Sequence, residues 1–284
     1  MNNNSEVNNW IGKTVQIDDH INEYPTKAMA AVFDYEYNKE EFKEVPYGWH
    51  WLYFLNLPLQ KNLGLDGHEK RIGFMPPIDL PIRMYAGGEI DFYEPLLIGK
   101  DVKKTSTILS IENKEGSTGK LTFLKINHKI SQNNKLLLNE VQNLVYREGS
   151  RDKKNNEKKL IKSPKEYDFQ KSWSPTPEML FRYSALTHNT HKIHYDFPYA
   201  TKVEGYPQIV VHGPLMATFL LDLISNIIKE SKQNLLKFSF KLRSPVFVGG
   251  KINTQAIKTN NGLDLWIKDQ NGNQSLSAHA ELSN

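Results

Sequence analysis

The sequence contains no cysteine, which excludes disulfides, thiolate-bound zinc and thiol nucleophiles. It suits a reducing, cytoplasmic setting. Long apolar runs are missing too: no stretch reaches the ~18 residues that a membrane span requires. The first ten residues, MNNNSEVNNW, lack a basic segment followed by an apolar core, and they contain no arginine. Neither a secretory signal nor a mitochondrial transit peptide is expected from them. An excess of one charge is also absent, since 36 Lys and Arg face 32 Asp and Glu for a net +4. With no basic stripe carrying interleaved aromatics, nucleic acid is not an expected partner. What remains is an ordinary globular composition, 39% apolar and 24% charged over 284 residues. That length is enough for one large core or two smaller ones.

The most polar stretch, Arg147–Lys165, ends in Ser163-Pro164 and divides the chain near its middle. Residues 151–165 are read as a linker between a first domain, 1–150, and a second, 166–284. The two halves share a pattern. Pro95-Leu96-Leu97-Ile98-Gly99 and Pro245-Val246-Phe247-Val248-Gly249 each precede a strand-like block. Strands are expected at 101–112, 119–131 and 135–147, then at 250–259, 262–269 and 274–282. Gln132-Asn133-Asn134, Asn260-Asn261-Gly262 and Asn271-Gly272 supply turns between them. This repetition implies an internal duplication. Gly213–Lys229 is nearly all apolar and predicts a buried helix, with Pro214 in its first turn. A buried helix followed by antiparallel strands gives an α+β fold, a sheet wrapped around a helix. The matching segment of the first half is read as Asp79–Gly88, short and broken by Pro and Gly, so the first copy is expected to be degraded. The aromatic run Gly48–Phe54 is read as packing.

Four of the nine histidines fall between positions 188 and 212. His188, His191 and His194, with Asp196, raise the possibility of a metal site. No zinc motif has this spacing, however, and positions i and i+6 diverge on a helix, so no metal is expected.

The register of Tyr183-Ser184, Ile193-His194-Tyr195-Asp196, Ala200, Gly205 and Val211-His212-Gly213 resembles the MaoC-like, (R)-specific enoyl-thioester hydratases. The likeness covers essentially the whole chain and is strongest to the double-hotdog branch. That branch includes mesaconyl-C4-CoA hydratases, itaconyl-CoA hydratases and 3-hydroxyacyl-thioester dehydratases. It implies two hotdog units, the first non-catalytic and shaping the acyl pocket. It also implies addition or removal of water across the 2,3 double bond of an acyl-CoA, with no cofactor and with a homodimer as a possible assembly. One position departs from the pattern: the family's acidic residue, five before the histidine, is Asn189 here, and His191-Lys192 stands in place of Asn-Pro. The double-hotdog branch shares the form Asn-x-His-x-Ile-His.

On this reading His194 transfers the proton, since an imidazole pKa near ~6.5 serves either direction. Asn189 orients the water. The Gly213 N–H, at a helix start, receives the developing negative charge. Asp196 supports the loop, and Tyr183, Val211 and His212 line the pocket. Arg182 or Arg83 meets a second carboxylate where the acyl group carries one. The alternatives are a dehydratase of unbranched 3-hydroxyacyl thioesters on CoA or acyl carrier protein, and a non-catalytic thioester-binding protein.

Overall fold

The computed structural model describes residues 7–38, 42–116, 119–148 and 160–283. Its centre is one antiparallel sheet of ten strands. In chain order these are β1 (Thr14–His20), β2 (Ile82–Phe92), β3 (Asp101–Gly116), β4 (Gly119–Gln132) and β5 (Lys135–Arg147). Then follow β6 (Phe169–Trp173), β7 (Leu235–Leu242), β8 (Ile252–Thr259), β9 (Gly262–Lys268) and β10 (Gln274–Leu282). Across the sheet the order is β1-β3-β4-β5-β2-β7-β10-β9-β8-β6. Read outward from the β2–β7 seam, the two halves have the same connectivity, as the duplicated sequence pattern implies. The expected hairpins are present: Asn133 and Asn134 both take positive φ, 49° and 61°, as a tight two-residue turn demands. The paired Pro-apolar-Gly segments form matching loops after β2 and β7. Gly99 and Gly249 turn each loop at φ 79° and 89°.

Among the described residues the helices are α1 (Glu23–Val32), α2 (Pro177–Leu186) and α3 (Gly213–Ser231); α3 lies against the sheet, and α1 packs on α2. The α3 side chains Leu215, Met216, Ala217, Phe219, Leu220 and Leu221 are at most 2% exposed, so this helix is buried on nearly every face. Burial of this kind is what its nearly unbroken apolar run requires, while Asn226, Lys229, Glu230 and Ser231 near its end are exposed. Around α3, Trp173 stacks on Phe219 at 4.4 Å, and Phe33 meets Trp173 edge-on at 5.1 Å. Thr176 caps α2 by accepting from Met179 N at 3.2 Å, with Pro177 opening the helix.

The expectation for Asp79–Gly88 is corrected here. This segment does not stand where the first half should have its long helix; Ile82–Gly88 begins strand β2. Its glycines serve the seam instead. A Cβ on Gly87 would lie 2.2 Å from the Phe240 carbonyl oxygen, so only glycine lets β2 approach β7. The position corresponding to α3 holds a single 3-10 turn, Trp49–Leu52. Its aromatic residues pack into the common core, as read from the sequence. Where a central helix would shield the sheet, a buried polar network stands. Glu140 is 3% exposed and accepts from His50 Nε2 at 3.1 Å, Trp51 Nε1 at 3.0 Å and Gln142 Nε2 at 3.1 Å.

Residues 151–159 of the expected linker lie outside the described residues. Its end, around Lys162, pairs with Asn273 beside the β9–β10 turn. Among the described residues, no helix is long and apolar enough to cross a membrane.

Candidate active site

The histidine segment follows α2 as an irregular loop, and two hydrogen bonds set its shape. Asn189 Oδ1 accepts from His191 N at 3.1 Å, and Asn189 N donates to Ser184 O at 2.9 Å. A 3-10 turn at Lys192–His194 then carries His194 inward. Asp196 Oδ1 accepts from Tyr199 N at 3.0 Å, holding the next turn.

His194 is 7% exposed, and its Nδ1 lies 2.7 Å from the Val210 carbonyl oxygen. A carbonyl only accepts, so Nδ1 carries the hydrogen and Nε2 bears the free lone pair. Burial pushes the His194 pKa down to about 4, although the Val210 bond opposes this. The ring is therefore neutral at pH 7, with Nε2 unprotonated. It stacks on the His212 ring at 3.7 Å, and His212 meets Tyr183 at 4.9 Å. His212 is fully buried, its Nε2 2.8 Å from Ser184 Oγ, and burial holds its pKa well below normal. Tyr183 is 2% exposed, and burial drives its hydroxyl pKa up, so it lines the site as a neutral phenol.

His212 is also the residue that precedes α3, so the stack delivers the helix N-terminus to His194. Pro214 has no N–H and Met216 N donates back to His212 O at 3.0 Å. Gly213 and Leu215 are thus the first-turn donors without an intrahelical acceptor. A Cβ on Gly213 would sit 2.5 Å from Leu242 Cδ1, so glycine keeps this approach narrow but open. Val211 is buried, and its N donates to Val246 O at 2.8 Å, fixing the chain just before the helix.

The first half of the chain completes the site. Loop residues Asp66–His68 dock on the histidine segment. Lys192 N donates to Asp66 O at 2.9 Å and Thr190 Oγ1 to Gly67 O at 2.6 Å. His68 packs on His191 at 4.0 Å with the rings tilted, and His191 meets His194 edge-on at 5.4 Å. Four imidazoles, His68, His191, His194 and His212, therefore form one column. Burial lowers the pKa of His191 first, and neighbouring His68 and His194 add to it. For His68, burial and the Arg83 charge outweigh the opposing pull of Asp66. A neutral column avoids stacking like charges.

Asp66 Oδ2 accepts from His68 Nδ1 at 2.8 Å. Burial would raise the Asp66 pKa, but His68 more than offsets it and holds the carboxylate ionised. Asp66, His68 and His191 each place one donor atom within 4.8 Å of the others, a spacing that a cation can use. The surroundings speak against one. Arg83 and Arg71 both act on His68, and their positive charge repels a cation.

The metal trio considered from sequence does not converge. His188 is exposed and its Nδ1 donates to Asn56 O at 2.9 Å. Arg182 is likewise corrected: it is exposed, and its Nη1 donates to Ala31 O at 3.2 Å, tying α2 to α1 rather than reaching the histidines. Arg83 stands beside His68, His191 and Tyr146 on β2, half-buried and without an acidic partner among the described residues. Arg71 is held by Ile78 O and Pro81 O and lies 4.7 Å over the Tyr146 ring. Asp66 and His68 were missed in the sequence. They lie over 100 positions from the motif, and only the turn-like Gly64-Leu65-Asp66-Gly67-His68 hinted at an ordered polar loop.

Residues 48–248 match the family model for hydroxyacyl-thioester dehydratase type 2. The chain belongs to that family. The match runs from the aromatic turn of the first half through the Pro-apolar-Gly loop of the second, so family membership takes in both halves of the site. Within the family, the chain is 37% identical over 275 residues to mesaconyl-C(4)-CoA hydratase from Chloroflexus aurantiacus, covering 96% of each protein. It is 31% identical to the mitochondrial hydroxyacyl-thioester dehydratase type 2 of Schizosaccharomyces pombe, covering 78% of this chain and 79% of that one. Among solved structures, a MaoC-like dehydratase from Phytophthora capsici superposes with a TM-score of 0.72 at 14% identity, covering 100% of this chain and 98% of that one. HtdX of Mycobacterium tuberculosis gives 0.65 at 19%, covering 94% and 99%. These neighbours establish the double-hotdog fold of the family here.

Proposed function

We propose that this protein is a hydro-lyase that adds or removes water across the 2,3 double bond of an acyl-CoA thioester. The observation that carries the reading is the neutral His194, its Nε2 free, held by stacking on His212 beside the first N–H groups of α3. Such a site joins a base to an oxyanion-binding helix end. In hydration, His194 Nε2 takes one water proton as the water oxygen bonds to C3. The thioester oxygen gains negative charge and accepts from Gly213 N–H. The proton then passes from His194 to C2, leaving the imidazole as it began. Asn189 has its Oδ1 engaged by His191 N, so its amide hydrogens are what it offers toward water.

Arg83 favours a substrate with a second carboxylate over an alkyl chain. A half-buried guanidinium with no acidic partner among the described residues, beside the histidine column, is costly unless an anion arrives. A branched dicarboxylic acyl-CoA such as mesaconyl-C4-CoA or itaconyl-CoA fits this requirement. The second half, 166–284, supplies the base and helix end, and the first shapes the pocket. We place the enzyme in the cytoplasm, in keeping with its lack of cysteine. The β2–β7 seam already pairs two hotdog units within one chain, so a homodimer is an additional assembly rather than a requirement.

The test is turnover of mesaconyl-C4-CoA, itaconyl-CoA and crotonyl-CoA, followed by loss of enoyl absorbance and by product mass. The two acid-bearing thioesters are expected to react with the higher kcat/KM. Faster turnover of crotonyl-CoA would favour the fatty-acyl dehydratase, and an inert protein would favour a thioester-binding module.

A further inference from the structure

The motif lacks a carboxylate at Asn189, yet a half-buried carboxylate, Asp66, docks on the same segment from elsewhere in the chain. We infer that Asp66, acting through His68, supplies that missing carboxylate, and that His68 and His191 hold the reacting water opposite His194. The inference rests on the hydratase reading above.

Three observations converge on it. First, Asp66 accepts from His68 Nδ1 at 2.8 Å, which fixes the tautomer and leaves His68 Nε2 as an acceptor. Second, Asp66, His68 and His191 each bring one ligand atom to within 4.8 Å of the others, so the three polar groups face one small space of the size a water occupies. Third, the loop is positioned by its backbone: the Lys192 N–Asp66 O bond and the Thr190–Gly67 bond lock it to the segment carrying His191 and His194. The Asp66 carboxylate also shapes the loop from within, its Oδ1 accepting from His68 N at 3.0 Å, a bond that the amide oxygen of Asp66→Asn can keep. The charged and titratable groups facing His68 are Asp66, Arg71 and Arg83, with the His191 ring against it. Facing His191 are His68, His194, Asp66 and Arg83.

During hydration the water gives one proton to His194 Nε2 and its oxygen bonds to C3. Its second hydrogen stays on the product hydroxyl, donated to His68 Nε2. No proton is left on Asp66; its charge makes His68 a better acceptor. Asp66 is a positioning residue, and His68 touches the reacting water.

Asp66→Asn and His68→Gln test this against wild-type protein on whichever thioester wild type turns over best. Each variant is expected to lower kcat about 100-fold with KM within threefold, and Asp66→Glu to restore part of the loss. Removing the carboxylate should also move the acid limb of the kcat profile to lower pH. Independently of turnover, Asp66→Asn should lower the His68 pKa read from ring nitrogen NMR. Unchanged His68 titration overturns the Asp66–His68 coupling even if wild type proves inert, an outcome that would by itself sink the hydratase reading. A kcat within threefold of wild type in both variants overturns the catalytic role. So does a stoichiometric divalent metal in the purified protein that Asp66→Asn loses.

Discussion

Gly67 is pressed against the Thr190 carbonyl so closely that a Cβ at position 67 would lie 1.9 Å from its oxygen. Gly67 also takes φ 89°, a conformation that L side chains rarely adopt. The obstructing atom is backbone, which no rotamer change can move. Gly67→Ala should therefore undock the loop, costing about 2 kcal/mol from strain alone. A lower melting temperature together with a kcat at least tenfold down is expected. A variant as active as wild type would show that the loop does not serve catalysis.

His194→Ala should fall by roughly 1,000-fold in kcat, within the range for loss of a general base. The ring is packed on His212, so the variant's melting curve belongs beside the kinetics. Residual activity within tenfold of wild type would move the base elsewhere in the histidine column.

Arg83→Met keeps the length of the side chain and removes its charge. For an acid-bearing thioester, kcat/KM should drop about 100-fold, corresponding to loss of a charge-assisted contact. Crotonyl-CoA should change little, because it has no carboxylate to lose. Equal losses on both substrates would show that Arg83 supports the fold or the column rather than selecting the acyl group.

The column also sets how stability responds to acid. Burial lowers the pKa of His68, His191, His194 and His212, with His194 at about 4. Unfolded histidines titrate near ~6.5. Between these values the unfolded chain binds more protons than the folded one, so stability falls as pH drops from about 6.5 to about 4. His194 alone contributes on the order of 3 kcal/mol to that loss. Melting temperatures across this window should decline steeply; a flat profile would mean that the histidines are not buried as neutral rings.

Glu140 offers a test confined to the fold. It accepts from His50, Trp51 and Gln142 in a buried position. Burial would raise its pKa, but the bond and charge of His50, with His128 and Trp51, hold it at about 2. Glu140→Ala leaves three donors without an acceptor. It should destabilise the protein by about 3 kcal/mol, read by urea unfolding.

Much of this architecture was legible because local rules governed it. The hairpin strands of both halves follow from alternating apolar residues and Asn turns, and α3 from an unbroken apolar run. His194 and Gly213 sit in one short motif, so their register could be read directly. The failures lie where distant segments decide the structure. Gly87 and Gly88 look like helix breakers, yet Gly87 is required by the Phe240 backbone, which is 153 positions away by residue number. Arg182 is adjacent to Tyr183 in sequence but faces α1, since neighbouring helix residues point in different directions. Asp66 and His68 carry no local signature of chemistry and become significant only when their loop meets His191.

The β2–β7 seam has a consequence for how the enzyme behaves on dilution. The residues at the column come from both hotdog units, with Asp66, His68 and Arg83 from one and His191, His194 and His212 from the other. In a dimer of separate hotdog chains such a site would come apart below the dissociation constant. Here the covalent connection holds the two units at a high effective concentration, and their seam is closed by continuous strand pairing from Gly87–Lys241 to Asp91–Lys237. Specific activity should therefore be independent of protein concentration. The tether also frees the two units from symmetry, so one can give up its central helix while the other keeps the whole of α3.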